Sequence, residues 1–340
     1  MSEHFIKNIE IKEYKLFNDF KAEGFGRVNL IGGKNNVGKT AFMEACYIVY
    51  TASKYNRKDE NREKRYLEII KSLLQIELSR NNIEFIKDWI NNKFNFKNIT
   101  NFEIELIKNF AIYCEEGYIT PETIKEKPSP WNYGTLNIRE YKKNKYFYEI
   151  FDEKDLPKLN IFNFLSPCII NHQTLVNLID DLKLNGKIDL LKNYLNVTFK
   201  IKEIDVIKNR VMLKQDSIYI DLNQFGDGLK SFIHIIASIM LLENYIIFID
   251  EIENGIHYTN LDKLWEMILT LSKEQNVQVF ATTHSKECIE SYARVAKKLE
   301  DKEIAFIELC KRDKEIKSFV YPYDWFLDEI EQEHEVRGCL

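Results

Sequence analysis

The chain has 340 residues and a formal net charge of −5, so it lacks the broad positive field of a dedicated nucleic-acid coat. With 45% apolar and 30% charged residues it reads as an ordinary globular protein, large enough for one catalytic domain with an insertion. The six cysteines, at 46, 114, 168, 288, 310 and 339, make no CxxC pair and no Cys/His metal spacing. They read as reduced thiols of a cytoplasmic protein instead of a disulfide frame. The start, MSEHFIKNIEIKEYKLF, has no apolar signal-peptide core. The most apolar run, 235–249, is broken by Glu243 and Asn244, which favours a buried helix followed by a buried strand over a membrane span.

In chain order, residues 5–17 alternate loosely and predict an edge strand. Residues 27–31 (RVNLI) predict a buried strand feeding the turn at Gly32 and Gly33, and the helix formers after Lys39 predict a helix. From 54 to about 126 glycine is nearly absent, and Leu67, Ile70, Leu74, Ile83, Ile86 and Ile90 recur at helical spacing. This stretch is read as a helical insertion, closed by Pro121, Pro128 and Pro130. Residues 135–165 then alternate as strands do, 183–195 reads as a helix, and two short strands are expected at 201–208 and 211–220. The turn FGDGLKS opens an apolar helix at 232–242, and a strand at 245–249 ends in Asp250-Glu251. A helix with Leu261, Leu264, Trp265, Ile268 and Leu269 on one face follows, and a buried strand at 277–281 ends in Thr282-Thr283-His284-Ser285. The expected organisation is an N-terminal part of a catalytic domain at 1–53, the helical insertion at 54–130, and the remainder of that domain at 131–340. Strands and helices alternate, and the chemistry-bearing residues fall at strand C-terminal ends, where open α/β sheets bind ligands.

Four motifs carry the chemistry. Gly33-Lys34-Asn35-Asn36-Val37-Gly38-Lys39-Thr40 is a full GxxxxGK[ST] match between a strand and a helix. Its glycines let the backbone wrap closely around phosphate at a helix N-terminus; Lys39 would reach the β- and γ-phosphates, and the Thr40 hydroxyl would ligate Mg²⁺. The strand delivering Asp250 and Glu251 matches a Walker B arrangement, with Asp250 on the metal and Glu251 orienting and polarising an attacking water. His284 is placed to hydrogen-bond the γ-phosphate or that water. Gly226 and Gly228, in FGDGLKS, form a second helix-initiating loop suited to an anion, which makes sense if it docks on the nucleotide of a neighbouring subunit.

These motifs in this order resemble the ABC-type ATPase heads of the RecF/SMC/OLD group. More narrowly, NLIGGKNNVGKTAFMEA, FGDGLKSF, FIDEIENGIHY and VFATTHSKECIES are similar to the bacterial AAA-family ATPases related to the OLD group. The resemblance implies a P-loop NTPase fold with an ABC-ATPase-head-like mixed sheet and a helical insertion. It also implies an ATPase that binds ATP and Mg²⁺ and dimerises on nucleotide, with a role in DNA metabolism or anti-phage defence. Carried over by residue, Gly33 to Thr40 is Walker A, Asp250 and Glu251 are Walker B, Gly226 to Ser231 is signature-like, and His284 is the switch histidine. Glu253, Asn254 and Gly255 fall at the dimer-contacting D-loop, followed by His257. The signature departs from the group's LSGGQ: the serine is missing and Asp227 brings a negative charge. Gln173 is the candidate for a Q-loop glutamine. The residues after His284 are too few for the Toprim nuclease domain of OLD enzymes, so an effector nuclease or toxin would be a separate polypeptide.

The expected partners are therefore a second copy of the chain, or a higher homo-oligomer, and a separate effector protein, with no membrane contact. Two basic-aromatic stretches, Lys54 to Tyr66 and Tyr141 to Tyr148, are candidates for nucleic-acid backbone contact, although Asp59, Glu60 and Glu63 dilute the first. The competing functional classes are a P-loop phosphotransferase and an ATP-binding scaffold with little turnover. Asp250-Glu251 with His284 fits activation of water better than transfer to a hydroxyl.

Overall fold

A computed structural model describes residues 5–55, 136–142, 145–151, 164–165, 172–312 and 315–332. The chain divides into two compact units, one of residues 1–9, 20–47 and 162–340, the other of 10–19 and 48–161.

The elements of the first half are β1 (Asn8–Tyr14), β2 (Phe17–Glu23), β3 (Val28–Gly32), α1 (Lys39–Tyr55), β4 (Leu136–Lys142), β5 (Lys145–Phe151) and β6 (Phe164–Leu165). The rest are α2 (His172–Leu184), α3 (Ile188–Phe199), β7 (Glu203–Ile207), β8 (Arg210–Gln215), β9 (Ile218–Asp221), α4 (Asp227–Leu241), β10 (Ile246–Ile249), α5 (Leu261–Glu274), β11 (Gln278–Thr282), α6 (Lys286–Leu299), β12 (Ile304–Arg312), β13 (Glu315–Pro322) and α7 (Tyr323–Glu331).

The larger unit is built on a six-stranded sheet of order β13-β12-β3-β11-β10-β6. All its neighbours run parallel except β13, which returns antiparallel beside β12. The order brings β3, which feeds the glycine loop, beside β11, which feeds His284, and β11 beside β10, which feeds Asp250. Three functional turns thus leave adjacent strands at the same edge of one parallel sheet. This is a P-loop NTPase fold with a mixed sheet.

Strand periodicity explains both faces of the sheet. Val28, Leu30, Ile247, Ile249, Val279 and Ala281 point into one continuous apolar cluster with residues of α2, α4, α5, α6 and α7. The alternate residues Phe248 and Phe280 lie outside that cluster, stack on each other at 5.5 Å and meet Tyr47 of α1 and Phe25 edge-on. Buried polar side chains are tied in. Gln278 exchanges hydrogen bonds of 2.8 Å with the backbone of Ile6 and also donates to the Gly26 carbonyl. Arg27 donates to the Leu269 carbonyl at 3.1 Å and pairs with Asp301 and Glu303.

Several expected elements take different bounds. The edge strand at 5–17 is a hairpin of two strands, β1 and β2. The helix expected at 183–195 is α3, which starts at Ile188; α2, at 172–184, was not expected, and Gly186 at φ 67° separates the two. The two strands after it are three, since Asp216 at φ 55° turns the second back into β9. The apolar helix begins five residues earlier than expected, so Asp227 and Gly228 lie inside α4. Cys46 and Cys288 are free and buried, but Cys310 is disulfide-bonded, which corrects the expectation that all six are thiols. Among the described residues no helix is long and apolar enough to cross a membrane.

The described part of the second unit includes the antiparallel hairpin β4–β5, whose register sets Tyr141 opposite Tyr146 and Lys142 opposite Lys145. This hairpin carries the second basic-aromatic stretch. The helical insertion at 54–130, apart from Lys54 and Tyr55 at the end of α1, lies outside the described residues, as does nearly all of the first basic stretch.

Candidate active site

The glycine loop is shaped by close backbone approach. Gly33 adopts φ 144°, and a Cβ there would meet the Leu309 carbonyl oxygen of β12 at 2.5 Å, so only glycine fits. Lys34, Asn35 and Asn36 are exposed at the loop's crest, while Val37 is buried beneath it. The amide of Phe42 donates to the Gly38 carbonyl at 2.8 Å, closing the first turn of α1. That helix has no acidic residue in its first turn, so its positive end is left for an anion from outside the chain.

Lys39 is buried and donates from Nζ to the carbonyls of Gly33 (2.8 Å) and Lys34 (2.9 Å). Its ammonium therefore lies across the loop it serves. Burial pushes its pKa down to about 8; the carboxylates of Glu253, Asp250 and Glu251 pull it back up in part. These three carboxylates do not restore its ordinary pKa, and a polyphosphate would add further negative charge beside it.

Asp250 follows β10 and sits between two hydroxyls. Thr40 donates to its Oδ1 at 3.2 Å and Thr282 to the same oxygen at 2.6 Å. Thr282 also accepts from the backbone N–H of Glu251 at 2.8 Å, and its carbonyl accepts from Ile252 at 3.0 Å. Glu251 is held at φ 49°, a left-handed conformation that costs a non-glycine residue of order 1 kcal/mol and persists where the surroundings fix it. Asn254 donates to Glu251 Oε2 at 3.2 Å, and His284 Nε2 stands 3.7 Å from Oε1. The Glu251 carboxylate and the His284 ring are both part exposed, as groups that must meet a substrate are. The hydroxyl of Thr40 and the carboxylate of Asp250 are hard oxygen donors suited to Mg²⁺. Among the described residues no cluster of three or more His, Cys, Asp or Glu could hold a metal unaided.

Thus the structure brings Lys39, Thr40, Asp250, Glu251 and His284 into one site from three adjacent strand ends. Gly226 and Gly228 are a separate matter. Gly226 is the N-cap of α4, exposed, and a Cβ there would meet nothing within 4 Å. Gly228 is packed: its Cβ would fall 2.0 Å from the Gly255 carbonyl oxygen. Hence Gly228 is required by a contact inside its own chain, whatever else the loop does. The Gln173 side chain donates to Asn177 and accepts from Asn209, within α2 and the β7–β8 turn. Sequence reasoning missed Thr282, which holds Asp250 and the Glu251 backbone together. Its only sequence signal is a threonine at the C-terminal end of the strand beside Walker B.

Fold and sequence motifs together are those of a P-loop ATPase. Residues 138–289 match the family model described as AAA ATPase domain, a span that includes Walker B and His284 but not the glycine loop. A curated relative, an "ATP/GTP phosphatase" of Helicobacter pylori, is 26% identical over 362 aligned positions, covering 96% of this chain and 97% of the relative. These matches agree with the resemblance to AAA-family ATPases. Solved structures similar to the chain include an SMC head domain from Thermotoga maritima, at 13% identity and a TM-score of 0.45, covering 92% of this chain and 97% of that one. Another is a SmcHead bound to the C-winged helix domain of ScpA, at 12% identity and 0.46, covering 96% and 99%.

Proposed function

We propose that the chain is a MgATP-hydrolysing switch that closes as a homodimer on ATP, reopens after hydrolysis, and is read by a separate effector. The observation that carries the hydrolytic part is the geometry at the end of β10. Asp250 is engaged by Thr40 and Thr282, whereas the neighbouring Glu251 is turned by its left-handed backbone toward His284. Two adjacent carboxylates are thereby given different tasks.

In this reading the loop amides of Gly33 to Gly38 and the Lys39 ammonium bind the β- and γ-phosphates. Thr40 and Asp250 would hold Mg²⁺, which when bound neutralises phosphate charge and fixes the phosphate chain. Glu251 accepts a proton from water as the water oxygen attacks the γ-phosphorus. The bond from the γ-phosphorus to the bridging oxygen breaks, and ADP leaves with that electron pair. His284 hydrogen-bonds the transferred phosphate. The exposed N-terminus of α4, with Gly226, is the surface offered to a second copy. The "ATP/GTP phosphatase" name of the Helicobacter pylori relative supports nucleotide hydrolysis. Action in anti-phage defence or DNA metabolism, with an OLD-like division of labour, rests on the motif resemblance. The β4–β5 hairpin is the described candidate for contact with a nucleic-acid backbone.

The test is phosphate release with Glu251→Gln. The variant is expected to bind ATP with wild-type affinity, to lose roughly 100-fold or more in kcat, and to accumulate as an ATP-dependent dimer by light scattering. Equal phosphate release by wild type and variant would refute hydrolysis by this site and leave a binding scaffold. Transfer of phosphate to an acceptor without free phosphate would make the protein a phosphotransferase.

A further inference from the structure

Glu253 lies two residues past the proposed water-activating glutamate and is bonded to a different segment of chain. Its Oε1 accepts the backbone N–H of His284 at 2.7 Å and that of Ser285 at 3.2 Å, across 31 and 32 residues of sequence. Its Oε2 is buried without a hydrogen-bond partner among the described residues. The carboxylate is thus placed by two amides, and the amides by it.

Three stitches join the turn after β10 to the turn after β11. Glu251 N–H donates to the Thr282 hydroxyl, Ile252 N–H donates to the Thr282 carbonyl, and Glu253 receives the amides of His284 and Ser285. The first two fix the bases of the turns. The third holds the backbone of His284 itself, whose ring stands 3.7 Å from Glu251. Beyond it, Ser285 caps α6 by accepting the Cys288 amide at 3.1 Å, so the far side of His284 is anchored to a helix.

We propose that Glu253 is a positioning residue, which sets the spacing between His284 and Glu251 by clamping the His284 and Ser285 amides. The proposal rests on the hydrolytic reading above. It makes the turn after Walker B a mechanical link: a displacement of the 253–255 segment, which packs on Gly228 of α4, moves the histidine relative to the water-activating carboxylate.

Two variants separate reach from charge. Glu253→Gln keeps an oxygen at the same distance and loses the charge; Glu253→Asp keeps the charge and is one methylene shorter. Glu253→Gln is expected to retain kcat within about threefold, and Glu253→Asp to lose roughly 10- to 100-fold with KM for ATP little changed. Amide hydrogen exchange of the nucleotide-free protein supplies a readout independent of turnover. The His284 and Ser285 amides should exchange faster in Glu253→Asp and as in wild type in Glu253→Gln. The clamp is overturned if exchange at these amides is the same in all three proteins. The positioning role is overturned if Glu253→Asp keeps wild-type kcat, if Glu253→Gln is the slower variant, or if kcat, KM and Tm all deteriorate together. Altered exchange with no phosphate release from wild type would sink the hydrolytic reading and the positioning role with it, while leaving the clamp itself in place.

Discussion

Lys39 offers the sharpest quantitative test of the nucleotide site. Within the chain its ammonium is buried on two loop carbonyls and its pKa is pushed down to about 8. Polyphosphate restores anionic partners and returns the pKa to or above its ordinary ~10.4. The free site therefore binds fewer protons than the loaded one between about pH 8 and 10, and loading takes up a proton there. At pH 7.5 roughly three-quarters of free sites carry the charged lysine; at pH 9 about one-tenth do. Affinity should accordingly fall roughly eightfold between those pH values, ~1.3 kcal/mol, as pH rises. MgADP is the suitable ligand, because it avoids turnover and its phosphates titrate well below this range. Calorimetry in two buffers of different ionisation enthalpy should report uptake of nearly one proton per site at pH 9. Lys39→Arg, whose guanidinium does not titrate here, should show weaker binding with neither effect. An affinity independent of pH from 7.5 to 9, or equal proton uptake by Lys39→Arg, would refute the assignment of Lys39 to the phosphates.

Two further outcomes follow from packing. Gly228→Ala places a methyl group 2.0 Å from the Gly255 carbonyl oxygen, so the two turns must separate; the overpacking costs about 1–3 kcal/mol, offset in part by about 1 kcal/mol of helix propensity. Gly226→Ala meets nothing within 4 Å and should cost only the difference between glycine and alanine at an N-cap, about 0.5–1 kcal/mol, so Gly228→Ala should melt lower, and a Tm at or above that of Gly226→Ala would contradict the contact. His234, buried in α4 with its Nε2 without a hydrogen-bond partner among the described residues, has its pKa lowered to about 4 by burial. The unfolded chain thus binds the extra proton between about pH 6.5 and 4, and stability is full above that window and lost as pH falls through it, by about 3 kcal/mol in total. His234→Leu should lessen the acid sensitivity of urea unfolding between pH 7 and 4.5 by about 2–3 kcal/mol; an unchanged pH slope would show that His234 does not contribute.

Much of the site was legible because its chemistry is local. The loop from Gly33 to Thr40 needs consecutive residues at fixed spacing. A strand that ends in Asp250-Glu251 announces itself by four apolar residues followed by two acids. His284 was recoverable from its place after the next buried strand. The near-continuous apolar runs of β3, β10 and β11 were equally plain, as expected of parallel strands buried on both faces. Turns are less legible: Asp216 reverses the chain with a single left-handed residue, so β8 and β9 read as one strand, and the helix α2 that ends before Gly186 has no counterpart in the sequence reading.

What the sequence by itself determined, then, is the inventory: which residues bind phosphate, which carry the acids, and which strands bear them. Which strands are neighbours was decided by the tertiary structure. The order β3-β11-β10 places Thr282 against Asp250 and Glu253 against the amides of His284 and Ser285. It also fell to tertiary packing to separate Gly226, where a Cβ would meet nothing within 4 Å, from Gly228, pressed on Gly255. The physical reason is that sequence spacing constrains groups only within a helix turn or a strand pleat. Hydrogen bonds between residues some 30 positions apart depend on the register of two strands and the φ angles of two turns, which the whole core fixes together.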